Sequence, residues 1–101
     1  MKREKLVRDR IPEIIRSRGG NPVVRVARDD EEYVLMLMNK LDEEVGEYLM
    51  DGDPGELADI LEVIYALCDA KRITREELEL LRKNKAEERG GFKKRIFLEE
   101  S

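Results

Sequence analysis

The stretch from Leu41 to Ile64, LDEEVGEYLMDGDPGELADILEVI, contains two helical patterns joined by the short turn sequence MDGDP. Because the turn is short, the two helices are predicted to run antiparallel and to pack against each other. The stretch also carries nine acidic residues and no lysine or arginine. The residues that form the helix pair therefore concentrate like charge beside apolar helix faces.

Capping residues and turn residues predict where the long helices begin and end. One helix start is marked by Pro54 at the first helical position and by a predicted capping box between Asp53 and Glu56. The corresponding capping box at the start of the last helix pairs Thr74 with Glu77. Apolar residues recur at intervals of three and four between the caps. Three long helices are predicted: from Asp29 or Asp30 to MDGD, from Asp53 to about Lys71, and from Thr74 to Gly90-Gly91.

The two ends of the chain contain shorter elements. The sequence IPEIIRSRGG predicts a short helix that begins near Pro12. The β-branched residues 23–27 and the tail FKKRIFLEE predict a short two-stranded β element. A chain of 101 residues buries only a modest fraction of its surface alone. We therefore expect one domain over residues 1–101, mainly all-α, built as a small bundle of antiparallel helices and oligomeric.

Composition excludes several kinds of chemistry. The chain has no histidine and one cysteine, Cys68, which argues against a disulfide framework, cysteine-ligated zinc and a Cys-His nucleophile. The first residues, MKREKLVRDRIPE, lack the apolar core of a signal peptide, and no window approaches the roughly 20 apolar residues of a membrane span. We expect a cytoplasmic protein that has no membrane partner.

Charge is segregated along the chain. Residues 1–28 carry nine basic and three acidic residues, and a second basic cluster, Lys93 to Arg95, lies near the end. The overall net charge is −4, whereas a nucleic-acid reader is usually basic. This layout favours a polyanion held through metal ions and basic side chains over a nucleic-acid partner.

Helical spacing groups the carboxylates of the acidic stretch in pairs. Glu44 and Glu47 share a face of one helix, and Glu56 and Asp59 share a face of the next. Glu44 lies at the edge of the apolar face, and Glu43 is predicted to point away. Two unit charges about 6 Å apart repel by about 2 to 3 kcal/mol at an effective dielectric of 20, so a cation is expected among the four carboxylates. Oxygen ligands without histidine match Mg²⁺ or Mn²⁺ rather than zinc, and Mg²⁺ implies a ligand that bears phosphate.

The sequence ILEVIYALC, residues 60–68, is apolar on almost every side of its helix, with Glu62 as the only charge. A helix apolar all round is buried on more than one side, which in so small a protein predicts a dimer interface. Glu62 is then expected in a partly dry place where it needs a partner or an ion. Tyr65 and Cys68 are predicted core residues.

The acidic motifs resemble those of a known superfamily. Glu43-Glu44-x-x-Glu47 followed by Glu56-Leu-Ala-Asp59 resembles the E-x-x-E and E-x-x-D signature of the MazG-like, all-α nucleoside triphosphate pyrophosphohydrolases. The flanks KLVRDRIPEII and ERGGFKKRIFLE are similar to a compact branch labelled phosphoribosyl-ATP pyrophosphohydrolase-like, so the resemblance covers nearly the whole chain. One departure is that only eight residues separate Glu47 from Glu56, fewer than is usual in the superfamily.

The resemblance implies Mg²⁺-dependent cleavage of a nucleoside triphosphate to the monophosphate and pyrophosphate, by a homodimer or higher homo-oligomer that acts on unusual or surplus nucleotides. It implies Glu44, Glu47, Glu56 and Asp59 as metal ligands. We predict Glu44, Glu47 and Asp59 as catalytic residues, because one of the carboxylates or a coordinated water supplies the attacking oxygen. Charge on the departing pyrophosphate requires basic partners, predicted to be Lys5, Arg8, Lys93 and Arg95.

Two alternatives remain open at this point. The first is the same chemistry on a dedicated substrate, phosphoribosyl-ATP of histidine biosynthesis, which the branch label suggests. The second is a non-catalytic helical module for oligomerisation or nucleotide sensing that keeps the fold without turnover. Neither base nor sugar preference is encoded in a recognisable stacking motif, since the chain has only three tyrosines and two phenylalanines.

Overall fold

A computed structural model of the protein describes residues 4–99. These residues form four helices: α1 (Ile11–Ser17), α2 (Asp30–Asp51), α3 (Pro54–Ala70) and α4 (Arg75–Arg89). The prediction of a mainly all-α fold is confirmed, and the helices begin after the predicted caps Asp29, Asp53 and Thr74. None of the helices in this part of the chain combines the length and the apolar character needed to cross a membrane.

The predicted two-stranded β element is wrong, because residues 4–99 contain no strand. The side chains of Val23, Val26 and Phe97 are 92%, 88% and 93% exposed. β-branched residues favour an extended backbone, but an extended segment becomes a strand only when another segment pairs with it. Residues 21–27 are therefore an irregular connection between α1 and α2.

The core lies along the contact between α2 and α3. Its buried apolar residues are Leu37 on α2 and Val63 and Cys68 on α3, which confirms the core position of Cys68. Glu44 is buried with them. Tyr65 is only partly buried, and the guanidinium of Arg75 at the start of α4 lies 4.1 Å from its ring centroid. The helix pair α2–α3 is thus the element that positions any polar group near Glu44.

The turn between α2 and α3 is two residues long. Gly52 takes a left-handed conformation with φ of 67°, which costs a residue without a Cβ little, and its N–H donates to the Tyr48 carbonyl at 2.8 Å. The Asp53 carboxylate accepts the Gly55 N–H at 2.9 Å. The predicted capping box with Glu56 is wrong, because the Glu56 N–H donates to the Asp53 carbonyl instead, at 2.9 Å. The Glu56 carboxyl is therefore free to face other acidic residues.

The capping box predicted at the start of α4 is confirmed. The Glu77 N–H donates to Thr74 Oγ1 at 3.0 Å, and the Thr74 N–H donates to Glu77 Oε1 at 3.3 Å. Such a reciprocal pair satisfies two of the backbone donors that a helix start leaves unpaired. The start of α4 is thereby fixed by local hydrogen bonds, while its packing against α3 is less extensive than that of α2.

Candidate metal centre

Glu44 is the most unusual polar residue of the helix pair. It is only 7% exposed, deeper than the edge position expected from helical spacing. Its Oε1 atom lies 3.2 Å from Nζ of Lys40, one helical turn earlier on α2. Its Oε2 atom is buried and accepts no hydrogen bond from any residue between 4 and 99. A buried carboxylate oxygen without a donor is costly, so Oε2 is an atom at which an additional donor or a cation would be stabilising.

The carboxylates of α2 and α3 form two groups that share Glu44. In the first group, Glu43, Glu44 and Glu47 each place an oxygen within 4.8 Å of the others. In the second group, Glu44, Glu56 and Asp59 do the same across the two helices. The structure therefore brings together all four residues that the sequence proposes as metal ligands. Glu43 joins them, which shows that its predicted orientation away from the site is wrong.

Crowding among these carboxylates changes the protonation of Glu56. Burial raises the pKa of Glu56 to about 7, and a hydrogen bond with Glu47 and the negative charge of Glu47 act in the same direction. The charges of Asp51 and Glu44 raise this pKa further. Near neutral pH the Glu56 carboxyl is therefore partly protonated, and this proton relieves part of the repulsion that a divalent cation would remove.

Three basic side chains contact the carboxylates. Lys40 Nζ also lies 3.4 Å from Glu43, and Lys5 Nζ lies 3.7 Å from the same carboxylate. Arg8 Nη2 donates to Asp59 Oδ1 at 2.6 Å. Five carboxylates thus face three cations, and a net charge of −2 remains when all five are ionised.

The predicted phosphate-binding residues occupy two different environments. Lys5 and Arg8 lie on the N-terminal segment before α1 and are paired with carboxylates of the site. Lys93 and Arg95 lie in the tail after α4, are exposed, and form no ion pair within residues 4–99. Glu62 is exposed in the single chain and belongs to neither carboxylate group, and its predicted dry position, which depends on a dimer interface along α3, stays a prediction.

Lys40 is the functional candidate that sequence reasoning missed. The signal was present, because Lys40 precedes Glu43 by three residues and Glu44 by four, which places all three on one helix face. Its side chain is 16% exposed, so its pairing with Glu44 is partly shielded from water. Lys40 supplies the one cation within α2 that offsets the buried carboxylate.

The donor set suits a hard divalent cation. All the side chains that converge offer carboxylate oxygens, and the site contains no imidazole or thiolate. The unpartnered Oε2 atom of Glu44 supplies a ligand atom that the protein leaves unsatisfied. Residues Glu44, Glu56 and Asp59 therefore fit Mg²⁺ or Mn²⁺, and Glu47 lies at the edge of the same cluster.

Comparison with known proteins gives one partial relative. The chain is 62% identical over 42 residues to an uncharacterized protein of Mycolicibacterium smegmatis, and the aligned part is 42% of this chain and 42% of that protein. The similarity thus spans less than half of either protein. No family model matches the chain, and no solved structure matches it.

Proposed function

We propose that this protein is a Mg²⁺-dependent nucleotide pyrophosphohydrolase that cleaves a nucleoside triphosphate to its monophosphate and pyrophosphate, in the manner of a house-cleaning enzyme. The observation that carries the proposal is the buried, unpartnered Oε2 atom of Glu44 at the meeting point of two carboxylate groups. A solvated acidic helix face would leave its carboxylates in water, whereas Glu44 is 7% exposed. The resemblance of the acidic motifs to the MazG-like superfamily supports the same activity.

The roles proposed for the carboxylates follow from how deeply each one is buried. Glu44, Glu56 and Asp59 are the residues that would hold the cation, with Glu47 at the edge of the group. When bound, Mg²⁺ would neutralise triphosphate oxygens and stabilise the charge that develops on them. Glu47 is exposed on the edge of the cluster, and we propose that it orients an incoming water and accepts its proton. Glu44 and Asp59 would hold the cation that binds the triphosphate oxygens, and they would thereby fix the position of the reacting phosphate.

The basic residues of the N-terminal segment provide the complementary charge. Lys5 and Arg8 contact the carboxylate cluster. A lysine ammonium binds phosphate oxygens as a point charge, and a planar arginine guanidinium can bind two of them at once. Lys93 and Arg95 are proposed as a second set, brought to the site from the exposed tail or from another subunit. The proposal includes a cytoplasmic location and no nucleic-acid partner, in line with the net charge of −4.

We also propose that the protein functions as a homodimer or higher homo-oligomer. The chain exposes 9619 Å² of surface, whereas a compact monomer of 11.8 kDa exposes roughly 5,900 Å². Its radius of gyration is 17.6 Å, against about 13 Å for a compact domain of this length. The excess area is larger than the roughly 800 Å² per partner that a standard interface buries. A second copy of this helical chain is the partner that would cover it.

An open groove between α3 and α4 is part of this uncovered surface. It has a volume of about 740 Å³, and its apolar lining residues, which include Leu61, Ile64 and Leu78, are accompanied by charged residues of α4. These charged residues are Arg75, Glu76, Glu79, Arg82 and Lys83. Leu61 is 45% exposed although it belongs to the nearly all-apolar segment of α3. This groove is the proposed contact for the second copy, because the apolar face of α3 continues into it.

A panel of nucleotides with detection of pyrophosphate tests the proposed reaction. We expect release of pyrophosphate from free triphosphates only with Mg²⁺ or Mn²⁺, and loss of this release in the Glu44→Gln and Asp59→Asn variants. Asp42→Asn is a matched control, because Asp42 is an exposed carboxylate on α2 outside both groups. Preference for phosphoribosyl-ATP over every free triphosphate would replace the proposed substrate with that compound. Absence of any hydrolysis in the wild type would leave the non-catalytic module as the correct description.

A further inference from the structure

The N-terminal segment places one cation on each carboxylate group. Lys5 contacts Glu43 of the first group, with 3.7 Å between Nζ and Oε1. Arg8, three residues later, donates to Asp59 of the second group at 2.6 Å. The first group lies on α2 and the second combines Glu44 of α2 with two residues of α3, so a single short segment contacts both groups.

A separate anchor holds this segment in place. Arg25 donates from Nε to Glu4 at 2.7 Å and from Nη1 to Glu32 at 2.8 Å. Hydrogen bonds from Arg25 and the backbone N–H of Arg28 lower the pKa of Glu32 to about 2, so this contact stays ionised across the neutral range. Arg25 thus links Glu4, at the start of the segment, to Glu32 on α2 through contacts that involve neither Lys5 nor Arg8.

The ion pair between Arg8 and Asp59 is of the exposed kind in which another partner can readily replace either residue. The Arg8 side chain is 54% exposed, so water screens the pair and its net contribution is small. Within residues 4–99, Arg8 donates to no other side chain, although a guanidinium has five N–H donors. Asp59 is at the same time one of three residues whose oxygens converge for a cation. The Arg8 guanidinium and a divalent ion would thus compete for the same carboxylate, that of Asp59.

We propose that Arg8 is an exchangeable counter-ion of the carboxylate cluster, which pairs with Asp59 in the absence of a divalent cation and leaves it when the cation binds. Lys5 does the same for Glu43. The released Arg8 then faces the site with its donors free and binds the phosphate oxygens of the nucleotide. The phosphate half of this inference rests on the proposed pyrophosphohydrolase function, whereas the exchange itself requires the cation alone.

The exchange is tested by titration of Mn²⁺ into the metal-free protein by calorimetry, without nucleotide. Removal of the competing charge in Arg8→Gln is expected to tighten Mn²⁺ binding about two- to fivefold, the range that an exposed ion pair corresponds to. Arg8→Lys, which keeps the charge, is expected to bind Mn²⁺ like the wild type. Arg10→Gln is the matched control, because Arg10 lies on the same segment but contacts Glu13, 3.6 Å away, which is outside the cluster. Equal or weaker binding of Mn²⁺ by Arg8→Gln than by Arg10→Gln would overturn the inference.

The NMR signals of the Arg8 guanidinium N–H groups give a second readout that a merely structural Arg8 would not change. Addition of diamagnetic Mg²⁺ to the wild type is expected to shift these signals toward those of an unpaired guanidinium, and not in Glu44→Gln. Unchanged Arg8 signals at saturating Mg²⁺ would contradict the release of Arg8. If the wild type binds Mn²⁺ and hydrolyses triphosphates but Arg8→Gln shows no gain, only this inference fails. If the wild type binds no Mn²⁺, the proposed function fails with it.

Discussion

Lys40 and Glu44 form a partly buried ion pair on one face of α2, with 3.2 Å between Nζ and Oε1. The pair satisfies one oxygen of Glu44 and leaves the other, Oε2, without a donor in residues 4–99. The protein thus carries a buried carboxylate that is half compensated. If it binds a cation as proposed, the stability of the helix pair and the affinity for that cation are expected to be coupled through this single residue.

Replacement of Lys40 by methionine tests this coupling. The variant keeps the aliphatic stem but leaves Glu44 without its cation, and we expect a loss of about 1 to 3 kcal/mol in the free energy of unfolding measured by denaturant. Saturating Mn²⁺ should raise the unfolding midpoint more in this variant than in the wild type. Lys85→Met is the control, since Lys85 is exposed on α4 and pairs with no residue in the described part of the chain. Equal losses in the two variants would show that Lys40 does not compensate Glu44.

The raised pKa of Glu56 predicts an unusual pH dependence of the metal-free protein. The pKa rises from its ordinary 4.5 to about 7 on folding, so the folded state binds the proton more tightly than the unfolded state. Stability in EDTA is therefore expected to fall as pH rises from about 5 through 7. The lowered pKa of Glu32, about 2, acts only at more acidic pH and does not overlap with this range.

Thermal unfolding of the wild type and Glu56→Gln across this pH range measures the effect. In the variant, most of this decrease in stability with rising pH should disappear, because the neutral amide carries no ionisable proton. Saturating Mg²⁺ should reverse the slope in the wild type, since the cation displaces the proton. A wild-type stability that rises from pH 5 to 7 in EDTA would contradict the assigned environment of Glu56.

Replacement of glycine by alanine is predicted to change the free energy of unfolding in opposite directions at Gly52 and at Gly46. Gly52→Ala forces a Cβ into a left-handed conformation and is expected to cost about 1 to 2 kcal/mol of unfolding free energy. Gly46 lies inside α2 with no atom within 4 Å of an added Cβ, so Gly46→Ala should stabilise by about 0.5 to 1 kcal/mol. Denaturant unfolding of the two variants measures both values. Changes of the same sign would show that the turn at Gly52 is not formed as described.

The proposed oligomer predicts that a charge in the apolar groove dissociates the protein. Leu61→Asp introduces a carboxylate at a position that is 45% exposed in the single chain, so the monomer fold itself should tolerate it. Sedimentation should show a multiple of 11.8 kDa for the wild type and a smaller species for the variant. The unfolding midpoint of the wild type should also rise with protein concentration. A wild type that sediments as a monomer at every concentration would rule the oligomer out.

Local sequence signals predicted the helices well because caps act over a few residues. Asp29, Asp53 and Thr74 each accept a backbone N–H in the following turn, as their residue types predict. Glu56 was the exception, because a glutamate after Asp-Pro-Gly satisfies the capping pattern and a carboxylate cluster equally well. Only the neighbouring helix, which brings Glu47 and Glu44 close to it, decides between the two.

Contacts between distant segments were beyond the reach of sequence reasoning. Arg8 and Asp59 are 51 residues apart, and no periodicity relates a guanidinium before α1 to a carboxylate on α3. The β-strand predicted at residues 23–27 was wrong for a related reason, because the pairing partner of a strand is a property of the whole chain. Helical spacing did place Glu44 near the contact between α2 and α3, but its degree of burial depends on α3, which spacing within α2 does not describe.

The two residues between α2 and α3 set the separation of the oxygens that Glu44, Glu56 and Asp59 offer. Gly52 and Asp53 are both held by hydrogen bonds to neighbouring residues, which limits how far the two helices can move relative to each other. Magnesium accepts oxygens at about 2.0 to 2.1 Å and calcium at about 2.3 to 2.6 Å with more ligands. If the proposed cation binding holds, we expect the geometry of this turn to contribute to the choice between the two ions.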